Sequence, residues 1–215
     1  MTEGNFIFPP NIKLEDYSHF GCNSYSHYNY LRKGIIPSIK RRHFNLALIL
    51  TQKGFHRFNV IDFGCADGVF LPTLSQYFPF VVGIERNEIF LSFAQRIVET
   101  TKLENVQIIN NKDLSVEDIT KKLQKKDFKI IFLLEVLEHI GNNWKTQYDD
   151  KMVFLKNLFS LMSKDGIIVI SVPKMIGISF FIQHSALFLL NMNRSRYSLK
   201  DGIRETIDWW RDRYE

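Results

Sequence analysis

The sequence predicts an α/β protein with a doubly wound, mostly parallel sheet, and three observations carry that prediction. Five apolar, β-branched runs, at 60–63, 81–84, 106–109, 130–134 and 167–172, alternate with stretches of helical spacing. Such alternation requires right-handed crossovers, which leave the strands parallel and put helices on both faces of the sheet. The first run passes straight into Gly64-Cys65-Ala66-Asp67-Gly68, where glycines let the backbone bend sharply and lie close to a ligand. The second run ends in an acidic residue, Glu85, a little over twenty residues after Gly64. That is the distance at which a carboxylate reaches a ribose in nucleotide-binding sheets.

The individual elements follow in order. Residues 1–27 hold Pro9-Pro10, many polar residues and scattered aromatics, and read as an irregular arm with a helical turn at 14–17. From 28 to 53 the apolar positions Leu31, Ile35, Ile39, Phe44, Leu46, Leu48 and Ile49 suit one or two helices divided near Gly34 and Pro37. The cluster Lys40-Arg41-Arg42-His43 within them reads as a solvated helix face. After the glycine turn, 70–77 forms a short helix with Pro72 in its first turn, where a missing N–H costs little. A helix with a repeating apolar face spans 88–99, and the polar turn Asn110-Asn111-Lys112-Asp113 follows the third strand. A lysine-rich helix at 116–125 precedes the fourth strand. The helix at 148–162 stops at Lys164-Asp165-Gly166 before the fifth strand. The expected organisation is an N-terminal arm with helices (1–54), a sheet core (55–175) and a C-terminal helical segment (176–215).

Composition narrows the partners. With 215 residues and 45% apolar content the chain can bury one ordinary core. A net charge of +5 admits an acidic partner, but the basic residues fit a plain solvated surface better than a nucleic-acid interface. Cys22 and Cys65 have no CxxC spacing, and the N-terminus lacks the basic-then-apolar order of a signal peptide. Both features predict a reducing, cytoplasmic setting. The longest apolar stretch, 176–190, is broken by polar residues and is shorter than the ~20 residues a spanning helix needs.

Ligands of a doubly wound sheet sit beyond the carboxyl ends of the strands, beside the first turn. Glu85 stands where a carboxylate accepts two hydrogen bonds from a ribose diol. Asp113 either accepts from the exocyclic amine of a base or caps the next helix. The turn has no G-x-G-x-x-G spacing, and the chain has no G-x-x-x-x-G-K-[ST] loop. Asp67 is read as facing the place a pyrophosphate would occupy, which argues for a ligand without phosphates.

At this point the residues resemble a family. Asp62-Phe63-Gly64-Cys65-Ala66-Asp67-Gly68 is similar to the first motif of class I S-adenosylmethionine-dependent methyltransferases, D/E-x-G-x-G-x-G, with Ala66 in place of the middle glycine. Gly83-Ile84-Glu85 resembles the ribose-binding acidic motif and Asp113-Leu114 the adenine-contacting turn. The run from Leu134 through Glu135, Glu138 and His139 to Ile140 resembles the strand-four motif of the branch that includes ubiquinone-biosynthesis O-methyltransferases. Leu161-Met162-Ser163-Lys164-Asp165-Gly166 resembles the turn before that family's fifth strand. The resemblance implies a Rossmann-like core, S-adenosylmethionine as cofactor and S-adenosylhomocysteine as product. The backbone around Gly64, Cys65 and Ala66 would then approach the methionine part and Glu85 would hold the ribose hydroxyls, with Asp62, Gly68 and Arg86 also among the cofactor-binding residues. Asp113 and Leu114 would frame the adenine, and Glu135 would lie near the sulfonium end.

Glu138 and His139 are the candidate base for an acceptor that must lose a proton; a Glu-His pair after a buried strand equally serves to tie down a loop. The acceptor expected is an O or N atom of a small, lipid-like or sugar-like molecule. A second reading is an RNA methyltransferase using the basic stretch 32–42, and a third is a binding module without catalysis. Glu135, Glu138 and His139 also resemble part of the metal cluster of small-RNA 2′-O-methyltransferases. The only downstream histidine, His184, sits in an apolar run, so no metal is expected. The segment 176–190 fits a core helix, a cover over an apolar acceptor or a peripheral contact with a membrane surface. The antiparallel pair that usually completes the family's sheet is not evident beyond Pro173, and an edge so exposed would suit a homodimer.

Overall fold

The computed structural model describes residues 6–12, 25–123, 127–141 and 146–172. The turn expected at 14–17, Cys22, His184 and both helices expected beyond Pro173 lie outside the described residues. The chain divides into compact units after Val172.

Five parallel strands make one sheet in the order β3-β2-β1-β4-β5. They are β1 (Asn59–Phe63), β2 (Val81–Glu85), β3 (Val106–Asn110), β4 (Phe128–Leu134) and β5 (Ile167–Ser171). In register, Val60 pairs with Val81 on one side and Ile130 on the other. The chain winds outward from β1 to β3 and returns to place β4 against β1. That reversal opens a crevice at the carboxyl ends of β1 and β4, where such sheets take their ligands.

Successive residues of a strand face opposite sides, and the core is accordingly double. Val60, Val81, Ile130 and Phe132 pack on one face, with Phe70, Leu71 and Leu74 around α2 (Leu71–Tyr77) and Phe44, Ala47 and Leu48 of α1 (Ile35–Phe55). Phe132 meets Phe70 edge-on at 5.6 Å between centroids. Ile61, Val82, Ile84, Ile131 and Leu133 fill the other face, with Ile119 of α4 (Val116–Lys122) and Leu158 of α5 (Gln147–Ser160). Each fully buried side chain of this size contributes about 1.5–3 kcal/mol. Between β2 and β3, α3 (Glu88–Thr101) starts at Asn87, whose Oδ1 accepts from the Ile89 and Phe90 N–H groups at 3.0 and 3.2 Å. Such a cap satisfies donors that the helix itself leaves open.

Strands and helices thus fall where the spacing predicts, within a few residues. The first helical segment divides at Arg32–Gly34, near the expected Gly34, into one π-helical turn at His27–Leu31 and α1, which takes in Pro37 in its first turn, where the missing N–H costs little. Its buried stripe is nevertheless Phe44, Ala47, Leu48 and Thr51, while Ile35, Ile39, Leu46 and Ile49 are exposed. Among the described residues no helix is long and apolar enough to cross a membrane.

Candidate active site

The turn after β1 is tied to the neighbouring strand, since the N–H groups of Gly64 and Cys65 both donate to the Ile84 carbonyl, at 2.8 and 3.1 Å. Gly68 needs its lack of a side chain. At φ +78° a Cβ there would lie 2.9 Å from Ala94 Cα of α3, so glycine is what lets the turn rest on that helix. Ala66 holds a left-handed conformation, φ 47°, at the position where the family motif has glycine.

Four carboxylates surround the turn, each held differently. Asp62, on β1, is 4% exposed; burial, and then the charge of Glu85, push its carboxyl up to about 7. Glu85 ends β2, where its Oε2 accepts from the Ala66 N–H at 3.0 Å and its Oε1 from the Arg86 and Asn87 N–H groups at 2.8 Å each. A carboxylate offers about four lone-pair sites, so acceptor capacity remains beyond these three bonds. Glu135, just after β4, adopts a left-handed φ of 57°. Its N–H donates to the Ser171 carbonyl at 3.1 Å, and the Ser171 hydroxyl donates to its Oε1 at 3.0 Å. The end of β5 therefore sets the direction of the Glu135 side chain.

Asp67 corrects the sequence reading. Its carboxylate faces no ligand loop; it is fully buried and accepts from the N–H of Ser26 at 2.5 Å and from the Ser26 hydroxyl. The N-terminal arm is pinned on the glycine turn through this pair. A charged acceptor inside the protein requires such donors, and the arm supplies two of them.

Arm and turn enclose a cavity of about 80 Å³. At roughly 10–15 Å³ for each water, it has room for one end of a nucleoside-sized ligand. Tyr25, Tyr30, His43 and Phe44 line one side; Asp62, Gly64, Cys65, Ala66 and Glu135 line the other. No lysine or arginine is among the described residues around it. Burial raises the Tyr25, Tyr30 and Cys65 ionisations above their usual range, so these groups stay neutral around pH 7.

Of the residues expected at the cofactor, Asp62, Gly64, Cys65, Ala66 and Glu135 line the cavity. Gly68 rests against α3 and Glu85 holds the turn through the Ala66 N–H; neither lines the cavity. Arg86 is exposed and lines a separate groove with Asn87, Glu88, Ile89 and Lys112. Asp113 is exposed and Leu114 half-buried on the turn after β3; neither lines the cavity. Glu138 and His139 lie on a 3-10 turn, Leu137–His139, and neither lines the cavity. Glu138 is half-buried, with Oε2 sealed and unpartnered, and His139 is exposed. Among the described residues no cluster of three or more His, Cys, Asp or Glu is arranged to hold a metal ion.

Sequence reasoning missed Ser26, Tyr30 and His43. The first two reach the site across long separations that leave no local pattern. His43 borders the buried stripe of α1, one residue before Phe44 and four before Ala47, and that spacing was the available signal.

A family model described as a methyltransferase domain matches residues 30–212. The chain belongs to that family. The resemblance to class I S-adenosylmethionine-dependent methyltransferases holds at the level of family and fold. Among solved structures, the PH0226 protein of Pyrococcus horikoshii superposes with a TM-score of 0.53 at 17% identity, covering 75% of this chain and 66% of that one. The YcgJ protein of Bacillus subtilis gives 0.46 at 16% identity, covering 60% and 50%. DhpI, solved as a complex with SAM and HEP, gives 0.49 at 14%, covering 74% and 66%. The matches to YcgJ and DhpI thus span half to two thirds of those proteins. A search of the curated proteins gives no match. In this methyltransferase domain the turn, Glu85 and Glu135 occupy the carboxyl ends of β1, β2 and β4, the edge at which doubly wound sheets bind ligands.

Proposed function

We propose that the domain binds S-adenosylmethionine and transfers its methyl group to an O or N atom of a small molecule. The observation that carries this reading is the cavity wall, where the glycine turn meets the buried carboxyl of Asp62 and that of Glu135 with no lysine or arginine among the described residues lining the same space; burial and the charge of Glu85 push Asp62 up to about 7. A cation placed against it would restore its ionised form, whereas a phosphate would meet repulsion from Asp62 and Glu135. A ligand with a sulfonium, an ammonium and no phosphate fits that electrostatic surrounding.

In this reading the backbone of Gly64, Cys65 and Ala66 and the carboxylate of Asp62 hold the methionine end. Glu85 takes the ribose hydroxyls, with Arg86 beside it. Asp113 and Leu114 border the adenine. Bound there, the cofactor supplies an activated methyl group for in-line displacement, and the protein supplies alignment. Tyr25, Tyr30 and Phe44 close the opposite side and exclude water from the acceptor. Because the cavity with the arm closed holds only one end of the cofactor, entry requires the arm to lift from Asp67.

Calorimetry with S-adenosylmethionine and S-adenosylhomocysteine tests the proposal. Saturable binding of both is expected; absence of heat with either ligand would remove the cofactor assignment.

A further inference from the structure

Among the described residues the proposed transfer leaves two sealed and unpartnered side-chain atoms without a task, Glu138 Oε2 outside the cavity lining and His43 Nε2. His43 lines the cavity from α1, and its Nε2 is sealed from solvent with no hydrogen-bond partner. A buried nitrogen without a partner forgoes about 1–3 kcal/mol, so a site that retains one reserves it for something that arrives.

The Lys40 backbone, one helical turn earlier, lies against the ring and favours a ring N–H turned toward it. With the ring proton on Nδ1, Nε2 offers a lone pair to a donor that enters the cavity. The ring plane is held by Phe44, 4.0 Å away between centroids, and by Tyr30 at 6.0 Å, edge-on. Burial lowers the ring's basicity; the charge of Glu135 and the Lys40 contact oppose that effect in part. Tyr30 and Tyr25 face the same space and stay protonated. Lys40, from α1 itself, points its Nζ to Asn29 Oδ1 at 2.7 Å. The outcome is a neutral imidazole at the edge of a cavity whose other wall carries a carboxylate, Glu135, able to stabilise the imidazolium.

We infer that His43 is the proton acceptor for a hydroxyl-bearing methyl acceptor, seated between α1 and Glu135. This rests on the methyl-transfer reading above. The acceptor's O–H bond breaks as its oxygen takes the methyl group, and the proton passes to Nε2. The pair that joined the methyl to sulfur stays on the sulfur. The imidazolium, facing Glu135, returns the proton to water once the product has left. An amine acceptor arriving neutral can shed its proton after the transfer, whereas a hydroxyl acceptor loses it as the methyl group arrives, so the arrangement suits a hydroxyl acceptor.

The test uses the full chain, 15N-labelled at histidine, with and without S-adenosylhomocysteine. His43→Gln identifies the His43 resonances by their loss. Near pH 7, Nε2 of His43 is expected unprotonated and Nδ1 protonated. Phenol added to the S-adenosylhomocysteine complex is expected to shift the Nε2 resonance, and anisole, which keeps the ring but has no donor, to leave it in place. A protonated Nε2, no shift with phenol, or equal shifts with both compounds would overturn the inference. Failure of the wild-type protein to bind S-adenosylhomocysteine would instead count against the methyl-transfer reading, and the tautomer measured on the free protein would still decide the state of His43.

Discussion

Replacing Gly68 with alanine tests whether the turn is held against α3 by absence of a side chain. Two costs add at this position. The φ of +78° lies in the left-handed region, where an L-residue loses about 1–2 kcal/mol. The new Cβ would also stand 2.9 Å from Ala94 Cα, 3.0 Å from Ala94 Cβ and 3.1 Å from Leu71 Cδ1. The nearest atom is backbone and cannot swing aside, and overpacking of that kind costs about 1–3 kcal/mol. The sum, about 2–5 kcal/mol, is a large part of the roughly 5–15 kcal/mol that holds a domain folded. Gly54 supplies the control, since a Cβ there meets nothing within 4 Å and its φ is not left-handed. Gly54→Ala, within α1, should gain up to about 0.5–1 kcal/mol. Urea unfolding followed by far-UV circular dichroism reads both variants. With a slope of about 2 kcal/mol/M, Gly68→Ala should lower the midpoint by about 1–2.5 M, and Gly54→Ala should raise it slightly. A Gly68→Ala midpoint within about 0.5 M of wild type would refute the packing argument.

Four further outcomes are expected. Asp62 has a folded ionisation raised from 3.8 to about 7, so between those values the native state holds a proton that the unfolded chain releases. Unfolding free energy of the ligand-free protein should therefore fall as pH rises from 4 to 7, and Asp62→Asn should flatten that slope and stabilise the protein at pH 8, by at most about 4 kcal/mol, each tenfold change in proton affinity being worth ~1.4 kcal/mol. Ala66→Gly should relieve the left-handed strain and leave stability unchanged or raised by about 1 kcal/mol, read by the same denaturation. Glu85→Ala removes the acceptor for three backbone N–H groups, and calorimetry should show S-adenosylhomocysteine affinity reduced by at least about tenfold, since bonds to a charged acceptor are worth about 1.5–3 kcal/mol; unchanged affinity would take Glu85 out of the ribose role. Ser26→Ala should weaken the hold of the arm on Asp67 and speed amide hydrogen exchange at 25–31 while leaving β1 and β4 protected, as a local opening does.

The sheet was legible because its signals are local. Val60 and Ile61, or Ile130 and Ile131, are apolar on both sides, as strands covered on both faces must be, and the turn and Glu85 follow directly from strand ends. The class of fold and the edge that carries the site could therefore be read without coordinates. The face of α1 could not. Ile35, Ile39 and Ile49 have helical spacing and are exposed, whereas the sheet accepts Phe44, Ala47 and Leu48; periodicity gives a helix but not which of two apolar stripes meets the core. The same ambiguity hid His43, which reads as part of a basic run and lies at the cavity. Asp67 was misread because its partner Ser26 is 41 residues away, and a buried carboxylate paired over that distance looks like any acidic turn residue.

The bond between Glu135 and Ser171 has a consequence for how the domain matures. Everything that grips the turn from β2 is in place once Glu85 is paired, whereas Glu135 finds its partner only 36 residues further along the chain. A ribosome-bound intermediate ending before β5 would have the Glu85 side of the crevice and lack the hold on Glu135. Domains form as their segments emerge, so the crevice is assembled in two instalments, the second of which arrives when β5 docks and Ser171 meets Glu135.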